Sequence, residues 1–272
     1  MSLERGGVSY GGVACRSCVV VNVARSGPGL GGISPGQGDY FQSTRGGGHG
    51  DYYHLVLAPK SVQEAAELTF EAFDLADKWR MPVMILADGM IGQMMEGVTF
   101  PEPRDLSKLP ARPWAAGGQS ATHRPINHIS SMNLIPDELE AKVHERFKRY
   151  EEIKKKEIRF EEVNTDKADL ILVAYGTSSR VCLGAQQLAK AAGIELGIFR
   201  PISLWPFPYE RIAELAGKGK RFLTVEMSMG QMVQDVQLAV AGKAQVSFYG
   251  RCGGNIPTEE AVLAEARKLL GK

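Results

Sequence analysis

The residues best suited to binding chemistry lie in one glycine-rich stretch that follows the first apolar run of the chain. Arg25 comes at the end of that run, and its guanidinium is suited to a two-point grip on a carboxylate. Asn22 lies three residues earlier and offers an amide. Gly27 and Gly29 let the backbone approach a bound molecule closely, because glycine has no Cβ. His49, between two glycines, could titrate near neutral pH, although a loop histidine is more often a plain hydrogen-bonding group.

The spacing Gly27-x-Gly29-x-x-Gly32 also matches a dinucleotide-binding fingerprint. Such a loop needs a helix that starts at the glycines and turns its N-terminus towards the pyrophosphate. The segment from Ile33 to Gly38 instead carries a proline and two more glycines, with no apolar period. The pattern favours a loop that approaches a ligand or another chain, and a dinucleotide-binding oxidoreductase is the alternative.

Four cysteines in 272 residues are too few for a disulfide framework, which favours a reducing cytoplasm. Cys15 and Cys18 form a C-x-x-C pair, but a structural metal site would need a second pair, and Cys182 and Cys252 stand far apart. We expect Cys18 to be a small buried residue at the start of a strand. Redox chemistry, or a metal shared with a partner, remains open for the pair.

The composition is that of a soluble globular protein, with 44% hydrophobic and 23% charged residues. A net charge of +1 gives no general argument for binding nucleic acid or a membrane surface. No apolar run approaches the roughly 20 residues that span a bilayer, and the first residues lack the apolar core of a signal peptide. We therefore expect a soluble cytoplasmic protein.

Hydrophobic periodicity predicts an α/β fold with two parallel-sheet domains. In the first half, strands at residues 18–23, 54–58 and 83–87 enclose a helix that begins at the capping box Ser61-x-x-Glu64. A charged helix is predicted at 137–163, and further strands at 170–174, 194–199, 221–225 and 245–249, with a last helix capped by Thr258. The predicted division is a first domain at 1–130, a charged helical linker at 131–166 and a second domain at 167–272.

Several long motifs carry a family resemblance. The segments VVVNVARSGPGLGGISPGQGDYFQSTRGGGHGDY, DLILVAYGTSSR, GIFRPISLWPFP and GGNIPT closely resemble the α subunit of 2-oxoacid:ferredoxin oxidoreductases. The branch acting on 3-methyl-2-oxobutanoate (2-oxoisovalerate) resembles the chain most, and the 2-oxoglutarate branch comes next. The resemblance implies a pyrimidine-binding domain of thiamine-diphosphate enzymes followed by a transketolase C-terminal-like domain.

The same resemblance implies an activity and a set of partners. Members decarboxylate a 2-oxoacid with thiamine diphosphate, transfer the acyl group to coenzyme A and pass electrons through 4Fe-4S clusters to ferredoxin. Arg25 matches the arginine thought to bind the substrate carboxylate. Asn22 and the backbone at Gly27 and Gly29 would line the thiamine cleft, whereas no secure role transfers to His49. Implied partners are a thiamine-diphosphate-binding β subunit, a γ subunit and a ferredoxin-like subunit. A non-catalytic assembly subunit is an alternative function.

The chain departs from the family pattern in three places. The family's Y-P-I-T-P-type motif and activating glutamate lie roughly a hundred residues earlier, so we expect an N-terminally truncated subunit that is inactive alone. Gly6 stands where relatives usually carry a glutamate. Asp88-Gly89 comes nearest to the diphosphate motif G-D-G, but Ala87 precedes it and no asparagine follows before Asn127. The resemblance therefore implies that magnesium and the iron–sulfur clusters belong to partner subunits.

Overall fold

The computed structural model describes residues 18–109, 111–115 and 127–272. The strands are β1 (Val19–Ala24), β2 (Leu55–Leu57), β3 (Val83–Asp88), β4 (Phe160–Val163), β5 (Leu170–Val173), β6 (Leu196–Pro201), β7 (Ser203–Trp205), β8 (Arg221–Glu226) and β9 (Val246–Gly250). The helices are α1 (Tyr40–Thr44), α2 (Val62–Trp79), α3 (Pro136–Lys156), α4 (Gly176–Ala191), α5 (Tyr209–Gly217), α6 (Met232–Val240) and α7 (Glu259–Leu270), with 3₁₀ turns at Ile91–Gln93 and Leu106–Lys108. In the described ranges, none of these helices is long and apolar enough to cross a membrane.

The strands form two sheets, in the orders β1-β3-β2-β7 and β4-β6-β5-β8-β9. The predicted α/β fold class is confirmed, and each strand predicted from the sequence lies within two residues of an observed one. The two predicted helix caps are also present. Ser61 Oγ accepts a hydrogen bond from the Glu64 N–H at 3.1 Å, and Thr258 Oγ1 accepts one from the Ala261 N–H at 3.2 Å.

The charged helix is shorter than the sequence predicts, because α3 ends at Lys156. The next residue, Glu157, is buried, and its carboxylate accepts hydrogen bonds from Lys78 Nζ at 2.6 Å and Trp79 Nε1 at 2.7 Å. These contacts tie the end of α3 to α2. The helix prediction for 157–163 was therefore wrong.

Neither sheet is wholly parallel, since each has one antiparallel edge strand. β4 pairs antiparallel with β6, where Glu161 contacts Arg200 at 2.9 Å. A glutamate-rich stretch resembles a solvated helix, but here Glu161 pairs with Arg200 on β6 and Glu162 pairs with Arg211 on α5. β7 pairs antiparallel with β2, so a strand from the second half of the chain completes the first sheet.

The register of β1 and β3 sets the position of the glycine-rich loop. The two strands pair in parallel from Val19 opposite Val83 to Ala24 opposite Asp88. Because they end together, Arg25 and the residues after it leave the sheet beside the Asp88 carboxylate. Ligands of open α/β sheets bind beyond this carboxyl edge.

Asp88 joins this edge to the second half of the chain. Its buried carboxylate accepts hydrogen bonds from Thr177 N at 2.8 Å and Thr177 Oγ1 at 2.7 Å, at the start of α4. Gly176 has φ +56°, and a Cβ there would lie 2.6 Å from Asp88 Oδ2. A glycine is therefore needed where α4 meets the first sheet.

His54, just before β2, is a buried histidine whose pKa is lowered. It is 3% exposed and stacks beside Tyr52, with ring centroids 6.3 Å apart. Neither ring nitrogen has a hydrogen-bond partner in the described structure. Burial disfavours the charged imidazolium and lowers the pKa of His54 from 6.5 to about 4.

The depressed pKa makes stability depend on pH. Between pH 6.5 and pH 4 the unfolded chain binds a proton at His54 that the folded chain does not, so stability falls as pH falls. We expect this to lower the free energy of unfolding by about 3 kcal/mol from pH 7 to pH 4. When the free energy of unfolding, measured with urea, is plotted against pH, the decrease between pH 7 and pH 4 should be smaller in His54→Phe by that amount. His144→Phe, at an exposed site on α3, should keep the wild-type slope. Parallel curves for wild type and His54→Phe would contradict the assignment.

Candidate functional site

A cleft with a volume of about 970 Å³ opens beside β1 and the loop that follows it. One wall is formed by β1, the glycine loop and the start of α1. The opposite wall comes from the second half of the chain, at the segment 227–231 after β8 and at Cys252 and Gly253 after β9. The cleft therefore runs along β1 and reaches the carboxyl ends of β8 and β9 in the second sheet.

The glycine loop closes on itself through backbone contacts. Gly32 N donates to Ser26 O at 3.0 Å, and Ser26 N donates to Ser34 O at 2.7 Å. Gly31 has φ +50°, and a Cβ there would lie 2.0 Å from Ser26 O, so no other residue fits. The first helix after β1 begins only at Tyr40. No helix N-terminus is therefore formed at Gly27–Gly32, where a dinucleotide fingerprint would need one.

Arg25 lines the cleft, as do Gly27 and Gly29. Its guanidinium also organises the loop. Nη1 donates to the carbonyl oxygens of Leu30 and, at 3.2 Å, Gly32, while Nη2 lies 3.5 Å from Gly29 O. An exposed arginine held by three loop carbonyls has a fixed orientation in the cleft wall. Its predicted role towards a substrate carboxylate stays a prediction.

Asn22 lines the cleft together with Asp39, a residue that the sequence analysis missed. Asn22 Nδ2 donates to Asp39 Oδ2 at 3.2 Å. Asp39 directly precedes α1. The only local sequence feature that could have indicated its place in the cleft was an acidic residue at the end of a glycine-rich loop. Asn22 and Asp39 are 17 positions apart in sequence, and the fold brings them into contact.

The short helix α1 is held in place by residues of the second half of the chain. The buried Asp235 accepts from Tyr40 Oη at 2.6 Å and from Arg45 Nη2 at 2.7 Å. Gln231 Oε1 accepts from Phe41 N at 2.7 Å, and Gln231 Nε2 donates to Gly38 O at 2.7 Å. Burial and the nearby Asp235 carboxylate raise the pKa of Tyr40. A five-residue helix thus keeps a defined position in spite of its length.

Glu226 at the end of β8 fixes the opposite wall. Its buried carboxylate accepts from Gln231 N at 3.1 Å, Met232 N at 3.1 Å and Val233 N at 2.9 Å, which caps the start of α6. Ser228 Oγ donates to the same carboxylate at 2.9 Å. Burial raises the pKa of the Glu226 carboxyl, while these hydrogen bonds act in the opposite direction.

Of the other residues that the sequence singled out, Cys18 lines the cleft and His49 does not. Cys18 is half-buried and lines the cleft, and burial raises the pKa of its thiol. Cys15, the other member of the C-x-x-C pair, lies outside the described residues. His49 is exposed and outside the cleft lining, whereas the buried His54 is part of it. Within the described ranges, no three His, Cys, Asp or Glu side chains are grouped as a metal site would require.

Two family models match most of the chain. The model described as pyruvate flavodoxin/ferredoxin oxidoreductase, thiamine diP-bdg, matches residues 2–162. The model described as pyruvate:ferredoxin oxidoreductase core domain II matches residues 168–262. The first match ends within β4, and the second begins just before β5.

Relatives with known names agree with these models. The chain is 46% identical over 271 residues to the ketoisovalerate oxidoreductase subunit VorB of Methanothermobacter thermautotrophicus, covering 100% of this chain and 76% of that protein. It is 30% identical over 294 residues to the 2-oxoglutarate synthase subunit KorA of Methanothermobacter marburgensis, covering 99% and 77%.

A solved structure has the same fold. It is the 2-oxoglutarate:ferredoxin oxidoreductase from Magnetococcus marinus with 2-oxoglutarate, coenzyme A and succinyl-CoA bound. It matches with a TM-score of 0.76 at 20% identity, over 98% of this chain and 51% of the other. A family model over more than half of the residues and a relative at 46% identity show that the chain belongs to the 2-oxoacid:ferredoxin oxidoreductase family.

Proposed function

We propose that this chain binds the 2-oxoacid substrate in a complex that oxidatively decarboxylates 3-methyl-2-oxobutanoate, forms the acyl-CoA and reduces ferredoxin. The observation that carries the proposal is Arg25, held by the glycine loop in the wall of a cleft that both halves of the chain build. The choice of a branched-chain substrate rests on the relatives, since identity to the ketoisovalerate subunit is 46% and to the 2-oxoglutarate subunit 30%.

The charge in the cleft wall favours a monocarboxylate. Among the described residues that line the cleft, Arg25 is the only lysine or arginine. One guanidinium satisfies one carboxylate, through charge-assisted hydrogen bonds. These residues offer no further cation for the second carboxylate of 2-oxoglutarate, so 2-oxoglutarate is the second candidate substrate, supported by the relatives that carry its name.

The residues present fit thiamine diphosphate as a shared cofactor. The cleft is large enough for a ring system. Asn22 offers an amide, and the loop at Gly27 and Gly29 presents its backbone. When bound, the cofactor supplies the electron sink for decarboxylation. This chain's residues would orient the substrate carboxylate and exclude water around it.

The proposal includes partner subunits. On the family resemblance, the diphosphate and its magnesium ion bind to a β subunit, and the 4Fe-4S clusters lie on partner subunits. The other proposed partners are a γ subunit and a ferredoxin-like subunit. Coenzyme A is the acyl acceptor and ferredoxin the electron acceptor. The division of the chain into domains at 1–130 and 167–272, with a linker at 131–166, is likewise proposed.

We expect Arg25→Ala, in a reconstituted complex, to lower kcat/KM for 3-methyl-2-oxobutanoate roughly ten- to hundredfold. The reason is the loss of charge-assisted hydrogen bonds worth about 1.5–3 kcal/mol each. Arg25→Lys keeps the charge but loses the planar fork, so it should fall between wild type and Arg25→Ala. Ferredoxin reduction followed optically at varied substrate concentration gives the values. Arg267→Ala, at an exposed site on α7, is the matched control.

Two results would count against the proposal. Unchanged kcat/KM in Arg25→Ala would favour a non-catalytic assembly subunit, in which the loop only contacts a partner. A wild-type complex with a higher kcat/KM for 2-oxoglutarate than for 3-methyl-2-oxobutanoate would overturn the substrate assignment. Thermal unfolding of Arg25→Ala separates a local effect from general loss of structure, because this side chain also holds three loop carbonyls.

A further inference from the structure

The cleft wall contains one acidic side chain whose role the proposed function does not use. Among the described lining residues, Asp39 is the only aspartate or glutamate, as Arg25 is the only cation. The two do not form an ion pair with one another within the described structure, and the Arg25 guanidinium is turned towards the loop carbonyls. The cleft therefore presents a separate anionic and a separate cationic position.

The Asp39 carboxylate is only partly engaged by the protein. Asp39 is the N-cap residue of α1, yet its side chain makes no capping hydrogen bond. The hydrogen bond shown for it comes from Asn22 Nδ2 to Oδ2 at 3.2 Å. A carboxylate has about four acceptor positions, so this side chain retains acceptor capacity towards the cleft.

The position of Asp39 is fixed from behind. Gln231 Nε2 donates to Gly38 O at 2.7 Å, on one side of Asp39, and Tyr40 Oη donates to Asp235 at 2.6 Å on the other. Asn22 approaches from β1. Contacts from β1 and from α6 with its N-cap residue thus fix the backbone on both sides of Asp39, and Asn22 orients its carboxylate, as a binding group requires.

We propose that Asp39 accepts a hydrogen bond from an amino group on a nitrogen-containing aromatic ring of the molecule bound in the cleft, and so sets the orientation of that ring relative to Arg25. This inference rests on the proposed function. The anionic substrate is repelled by Asp39 and attracted to Arg25. The two charges therefore favour an amino-bearing ring beside Asp39 and a carboxylate beside Arg25. Two sources offer this chemistry, the aminopyrimidine of thiamine diphosphate and the adenine of coenzyme A.

Binding affinities measured by calorimetry on the reconstituted complex test the inference without turnover. We expect Asp39→Ala to weaken thiamine diphosphate roughly tenfold or more, but to weaken oxythiamine diphosphate, which carries a carbonyl in place of the amino group, much less. The wild-type preference for the amino compound should therefore shrink about tenfold. Asp39→Asn, which keeps the shape, should give a smaller loss. Glu138→Gln removes an exposed carboxylate on α3 and should change neither affinity.

Coenzyme A is titrated in parallel to identify the source. Weakened coenzyme A binding, with unchanged thiamine diphosphate binding, would assign the contact to adenine and still support the proposal. Equal weakening of thiamine and oxythiamine diphosphates, or wild-type affinity for all three ligands, would overturn it. Arg25→Ala should keep the wild-type preference for the amino compound. A wild-type complex that binds neither thiamine diphosphate nor coenzyme A would instead overturn the proposed function.

Discussion

The buried side-chain amide of Gln37 connects the two halves of the chain, and the geometry of the cleft depends on it. Its Nε2 donates to Tyr175 O at 2.9 Å, and its Oε1 accepts from Ser178 Oγ and Met227 N, both at 2.9 Å. Gln37 N also donates to Met227 O at 2.8 Å. One residue at the end of the glycine loop thereby contacts the start of α4 and the end of β8. Without those bonds the buried polar groups would lack partners, which is costly in a low-dielectric interior.

This connection explains how a glycine-rich loop can form a defined binding wall. Glycine loses more backbone freedom on ordering than other residues, so such a loop adopts many conformations unless tertiary contacts hold it in one. Here Gln37 anchors the C-terminal end of the loop, and Arg25 donates hydrogen bonds to carbonyl oxygens within it. The Asp88 carboxylate binds the end of β3 to the start of α4. Arg25 and Asp39 then have set positions as a cation and an anion in a cleft that also contains apolar groups.

Local sequence signals predicted most of the fold, because strand and helix periodicity and side-chain caps act over a few residues. Ser61 and Thr258 marked helix starts that the structure shows. The edge strand β4 was missed because its glutamates match a helical charge pattern, and their partners Arg200 and Arg211 are distant in sequence. The roles of Gln37 and Asp39 were missed for the same reason, since their contacts bring together residues up to 190 positions apart. Arg25 was recognisable from its place at a strand end.

Hydrogen–deuterium exchange of Gln37→Met tests most directly whether this amide holds the cleft together. Methionine matches glutamine in size but makes none of its hydrogen bonds, and Gln234→Met, at an exposed site on α6, is the control. We predict faster amide exchange, roughly tenfold or more, in residues 25–38 and 227–231 together, with β5 unchanged. Exchange that stays at the wild-type rate in both segments, or rises in only one, would contradict the account.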